Sequence, residues 1–191
     1  MTRLRILTAM AAAFAGMVMP TVAIAPASAA PGKWETFHDP GATEIVEDYC
    51  GVTGLTAKND YVVDGRFKAS TGRKGVSYYV EIAHSTDHWT NVATGAYVTV
   101  EFSYRFADQS VTDNGDGTLT ETVRVTGNQV FYDQEGQRIG HVAGVIYHFQ
   151  LVFDNAGTPT DPSDDVFLEN IPLRTGGKTI DGCAVISAAI G

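Results

Sequence analysis

The chain is short of the residues that build helical, nucleic-acid-binding or thiol-based proteins. Thirteen Lys and Arg stand against 22 Asp and Glu in 191 residues, a formal charge of −9. Phosphate contacts need clustered cations, so nucleic acid is excluded as a partner class. A stable hold on an anionic membrane surface is disfavoured for the same reason. Only two cysteines are present, Cys50 and Cys183, with no C-x-x-C and no second pair, which removes thiolate zinc motifs. There is no G-x-S-x-G and no glycine-rich phosphate loop, and no serine sits in a recognisable triad context. From Ala30 onward Leu and Lys number five each, against 18 Val and 18 Thr. That balance favours strands over helices. Apolar residues are not lacking: at 44% they are too many for a disordered chain, and the length suits one domain with one core.

One uncharged run stands apart. Arg3 and Arg5 precede twenty residues, Ile6 to Ala25, without a charge. The run is rich in Ala, is broken by Pro20 and Pro26, and ends in Ala27-Ser28-Ala29. These features describe a cleaved secretory signal rather than a membrane anchor. Residues 1–29 therefore read as a signal peptide and residues 30–191 as a single secreted, extracellular β domain. Losing Arg3 and Arg5 takes the charge to 11 − 22 = −11. No cysteine lies near the cut, so no lipid anchor and no stable membrane attachment is expected. In an oxidising compartment Cys50 and Cys183 are expected to bridge, closing a loop worth roughly 4–5 kcal/mol of unfolded-state entropy.

Period-two alternation dominates the mature chain. Val76, Tyr78, Val80 and Ile82 alternate with Ser77, Tyr79, Glu81 and Ala83, and Val98 to Phe106 repeat the pattern more cleanly. Asp113-Asn114-Gly115-Asp116-Gly117 is a dense hairpin signal, and Leu119, Val123 and Val125 alternate beyond it. The even apolar face of the first strand and the odd one of the second fall on the same side of a hairpin. Gly127-Asn128 predicts a bulge or bend before Val130 to Tyr132. Asp133 to Gly136 predicts a turn. Ile139, His141, Ala143, Val145, Tyr147, Phe149, Leu151 and Phe153 predict one long strand with one apolar face. Trp34–Phe37, Glu44–Tyr49, Tyr61–Ala69 and Val166–Leu168 complete the strand set, and Ala184–Ile190 predicts a short helix or final strand. The fold class expected is all-β: an antiparallel meander of about 7–9 strands closing into a β-barrel, or alternatively a two-sheet β-sandwich.

Two resemblances bear on the fold and on export. Trp89-Thr90-Asn91, Asp113 to Thr118, Thr126 to Val130, Gly157 to Asp165 and a late cysteine resemble a family of small secreted actinobacterial proteins of unknown function. That resemblance, over roughly residues 75 to 190, implies export and a β domain and carries over no catalytic residue. Gly32-Lys33-Trp34 is similar to the G-x-W of lipocalins, which implies by analogy a barrel that binds small apolar ligands.

Candidate chemistry is sparse. Tyr78, Tyr104, Tyr147 and His141 are expected to line the interior, with Glu121 on the same side as Asp108 and Ser110 near its mouth. A ligand site built from Tyr78, Tyr104, Glu121, His141 and Tyr147 follows. Asp154, Asp161, Asp164 and Asp165, with Asn155, make an acidic loop that is a calcium candidate, although solvated loops share that composition. No other cofactor is expected. His84 and His88 flank Asp87, without a third ligand for zinc. Three functions remain: a secreted non-catalytic barrel binding a small ligand or an extracellular protein; a small barrel enzyme, an isomerase, cyclase or hydrolase, using Glu121 and His141 as acid and base; or a structural, envelope-associated protein ordered by calcium.

Overall fold

The computed structural model describes residues 32–43, 45–72, 75–161, 164–173, 176–178 and 180–191. The expected export signal and its cleavage site lie outside them. Seven strands follow one another in chain order through one antiparallel sheet: β1 (Glu35–Ala42), β2 (Ala57–Thr71), β3 (Ser77–Asn91), β4 (Tyr97–Asp113), β5 (Thr118–Tyr132), β6 (Arg138–Asp154) and β7 (Val166–Pro172). An eighth, β8 (Gly176–Lys178), pairs with β6 beyond the end of β7. The helix α1 (Gly182–Ile190) comes next, capped by the Asp181 carboxylate, which accepts from the Ala184 amide. The all-β meander with a short terminal helix is present as expected. The sheet is not closed: β1 and β7 end the strand path and are not paired with each other among the described residues.

The hairpin of β4 and β5 forms as its parity requires, with Phe106 opposite Val125 and Val100 opposite Phe131, all four buried. Burying a side chain such as Phe102 contributes about 1.5–3 kcal/mol, so this face supplies much of the core. One continuous cluster runs from Tyr49 and Leu55 through β2 to β6 and ends on Ile186 and Ile190 of α1. The sheet curls around that cluster: Phe106 of β4 meets Phe149 of β6 at 6.3 Å, and α1 packs against β3, β4 and β6.

Three local expectations are corrected. The strand expected over Glu44–Tyr49 is absent from its described residues, 45–49. Val46 makes a single bridge to Ala57, after which Asp48 and Cys50 take left-handed φ values of 49° and 56° and turn the chain through a 3-10 turn at Tyr49–Gly51. Gly127 does not break β5, which runs straight through it. It is small because a Cβ there would strike the Ser103 carbonyl of β4. The irregularity sits instead on β6: Val125 pairs with Tyr147 and Thr126 with Val145, leaving Ile146 as an extra, buried residue. The extra residue switches faces, so Val142 points inward before it and Tyr147, Phe149, Leu151 and Phe153 after it. His141 therefore belongs to the outer face, and Ile139, a second extra residue between Gly140 and Arg138, is exposed.

A row across the sheet divides its inner face. Gly65, Ala83, Tyr104, Gly127 and Gly144 are successive partners on β2 to β6. Four small residues and one tyrosine make a waist there. On β3 it separates Glu81 from Asp87.

The expected disulfide is present, joining Cys50 in the 3-10 turn to Cys183 of α1 with Cα atoms 5.5 Å apart. It closes a loop of 133 residues, worth about 5 kcal/mol by the chain-entropy argument. With the bond from the Asn91 side-chain amide to the Ile190 carbonyl, it fastens helix and turn over one end of the interior.

Candidate functional site

The inner face of β3 is polar, which its alternation disguises. Tyr79, Glu81, Ala83, Ser85, Asp87, Trp89 and Asn91 face inward, while Val80 is only half-buried and Ile82 is exposed on the other side. Partner strands supply the reason: Glu81 lies opposite Phe106, Ser85 opposite Phe102 and Asp87 opposite Val100, all inward members of β4. Two carboxyl groups are thereby taken out of water, Glu81 at 0% exposure and Asp87 at 3%.

Their surroundings differ. Glu81 accepts hydrogen bonds from both sides, Tyr79 Oη to Oε2 at 2.5 Å and Tyr104 Oη to Oε1 at 2.7 Å. Burial pushes its pKa above the usual carboxylate range, and the two hydroxyls pull part of the way back. The same burial, with the neighbouring carboxylate charge, raises both tyrosines. Asp87 Oδ1 accepts from Asn59 Nδ2 at 2.9 Å and Oδ2 from Ser85 Oγ at 2.8 Å. Its pKa is also raised by burial, against those two bonds and the His88 charge.

Around Asp87 hydrogen-bonding capacity is left over. Asn59 Oδ1, Trp89 Nε1 and Tyr49 Oη are buried polar atoms with no hydrogen-bond partner among the described residues. They gather at one end. Asn59 is the β2 partner of Trp89, and the Tyr49 ring meets that of Trp89 at 4.7 Å, tilted by 30°. The Asp87 charge raises the pKa of Tyr49, after desolvation, and also that of Tyr147 from β6.

The sequence candidates divide accordingly. Tyr104 and Tyr147 lie inside and are buried. Glu121 faces inward between Val111 and Leu151, half-buried. Tyr78 is corrected to the outer face, where its hydroxyl accepts from the Val111 amide at 3.5 Å. Ser110 does not share Glu121's side either: a shift at Gln109 sets Ser110 opposite Thr122. His141, opposite Val130, bonds outside to Asn128. Glu121 pairs with Leu151, ten residues further along β6 (151 − 141), roughly 30 Å away at strand rise. Glu121 and His141 therefore do not converge as an acid–base pair.

The segment with His84 and His88 stays in strand to Asn91, and both histidines are exposed, hydrogen-bonded to Ser103 and Thr99. Asp154 accepts from the Ala156 amide and Asp164 from the Thr158 hydroxyl. The Asp161 amide donates to the Thr158 carbonyl, and Asp165 is half-buried. Among the described residues no three His, Cys, Asp or Glu side chains gather as a metal set. Trp34 of the G-x-W is 40% exposed, with the Arg66 guanidinium 4.9 Å and the Lys68 ammonium 5.2 Å from its ring. Sequence reasoning missed Tyr49, Asn59, Ser85 and Asp87 as a set. Only the odd face of β3 carried a signal, an acid and a serine between Ala83 and Trp89.

Compared with protein-family models, curated proteins and solved structures, the chain matches none. No helix of the described residues is long and apolar enough to cross a membrane.

Proposed function

We propose that the protein is a secreted, non-catalytic binding protein that takes a small ligand at the polar, Asp87 end of the interior of its curled sheet. One observation carries the reading: unpartnered donors and an acceptor are buried beside a buried carboxyl group at one end of that interior. A core selected for stability alone does better with apolar residues at such positions, because each buried polar group left unpaired costs about 1–3 kcal/mol. Export is supported by the N-terminal pattern and by the Cys50–Cys183 bond, which suits an oxidising compartment. The resemblance to small secreted actinobacterial proteins points the same way.

The test is native mass spectrometry of the protein recovered from its own secretion medium, with the denatured mass as reference. The denatured mass is expected at residues 30–191 less two hydrogens, and the native mass above it by one small molecule. A bare native mass, with no small molecule raising the melting temperature, would sink the reading and leave an extracellular protein partner in its place.

A further inference from the structure

We infer that the Asp87 end of the interior is a binding site for a small organic cation, an ammonium-bearing molecule with an oxygen acceptor close to the charge. The inference rests on the proposed binding function and adds the ligand's chemistry.

Charge sets the sign of the ligand. The inward positions of β1 to β6 include Glu35, Asp39, Glu81, Asp87, Asp108 and Glu121, and among the described residues no Lys, Arg or His. Asp87 has only neutral hydrogen-bond partners, Asn59 and Ser85, while His88 beside it in sequence points out of the other face. A buried carboxylate without a cation is an incomplete pair, since desolvation is offset only by an opposite charge or a full set of donors. No described residue supplies such a cation, and a ligand can.

The unused atoms give the rest of the shape. Asn59 Oδ1 is an acceptor beside Asp87, so an ammonium group has two acceptors to donate to. Trp89 Nε1–H and Tyr49 Oη–H are donors, and they call for an oxygen on the same molecule. An anion is repelled by Asp87, and a neutral diol leaves the carboxylate uncompensated. Aromatic rings at Tyr49 and Trp89 suit a cation as neighbours. An acidic chain draws cations towards it. At the Glu81 end, where Tyr79 and Tyr104 donate to the carboxyl group, no buried side-chain polar atom of these three residues is left without a partner.

The experiment is isothermal titration calorimetry at neutral pH on the whole, disulfide-bonded protein. Ethanolamine carries the ammonium and hydroxyl, ethylene glycol replaces the charge by a second hydroxyl, and glycolate reverses it. Ethanolamine is expected to bind at one site, with the other two at least tenfold weaker. Asp87→Asn should lose at least tenfold in affinity, and His141→Ala on the outer face should lose none. If Asp87→Asn does not fold, Tyr49→Phe serves: it removes a hydroxyl the empty protein does not use, and should weaken ethanolamine several-fold at unchanged melting temperature. No heat with ethanolamine at millimolar concentration, or equal binding of all three probes, would overturn the cation. A neutral or anionic adduct in the native mass would do so while leaving the binding reading intact, and no adduct together with no ethanolamine binding would remove both.

Discussion

Glu81 and Asp87 sit on one face of one strand, six positions apart, and both are out of water, yet their neighbourhoods teach opposite lessons. Each oxygen of both carboxyl groups accepts a hydrogen bond, but Glu81 is finished because the two tyrosines that donate to it, Tyr79 and Tyr104, leave no buried polar atom unpartnered. Asp87 is unfinished, with three polar atoms near it that satisfy nothing. A complete polar network specifies and rigidifies a core, whereas an incomplete one marks a place built for something else.

The largest effect should come from the covering over the Asp87 end. Replacing Cys50 and Cys183 by alanine releases a loop worth about 5 kcal/mol and frees the turn that carries Tyr49 from α1. Urea denaturation should give a midpoint shift of that order. Amide exchange should rise first around Tyr49, Leu55 and Ile190, and later at Glu81. Equal loosening at both ends would erase the distinction between them.

Matched tyrosine deletions sharpen the comparison. Tyr104→Phe strips Glu81 Oε1 of its donor and should cost about 1–3 kcal/mol, while Tyr49→Phe removes an unused hydroxyl and should change ligand-free stability by no more than about 0.5 kcal/mol. Melting curves of the two variants decide it. Equal losses would mean that Tyr49 has a partner in the empty protein.

Titration separates the pair from ordinary carboxylates. Burial raises the folded pKa of both groups. Their contribution is therefore fully present below the unfolded values, about 4, and is lost as pH rises through the folded ones. Stability should decline over that window, and Glu81→Gln or Asp87→Asn should each flatten part of the slope. A slope of the opposite sign would show that both are charged at no cost.

The smallest effect is expected at His141. It lies on the outer face bonded to Asn128, so His141→Ala should leave the melting temperature unchanged.

How much of the molecule is legible in its sequence depends on what each strand hides. β4 is apolar on its even side from Val98 to Phe106, and its parity with β5 places both correctly, because hydrophobic alternation and burial coincide there. β3 defeats the same rule. Its inner face carries Glu81, Ser85 and Asp87, its outer face Val80 and Ile82, so alternation chooses the wrong side. Only register against β4 corrects it, and register is a long-range property. On β6 a single extra residue, Ile146, turns the apparent stripe from Ile139 to Phe153 into two half-stripes on opposite faces. The disulfide is legible from compartment and count alone. The Asp87 site is not, since Tyr49, Asn59 and Trp89 come from three separate stretches and meet only in the curled sheet.

The chain has two tryptophans, one at the site and one outside it, and this makes a direct measurement available. Each indole N–H gives its own proton–nitrogen NMR signal. On titration with ethanolamine the Trp89 signal should shift, as Nε1 gains an acceptor, while that of Trp34 on the outer surface stays in place. A Trp89 signal that does not move, or movement of Trp34 alone, would contradict the assignment of the Asp87 end as the binding site.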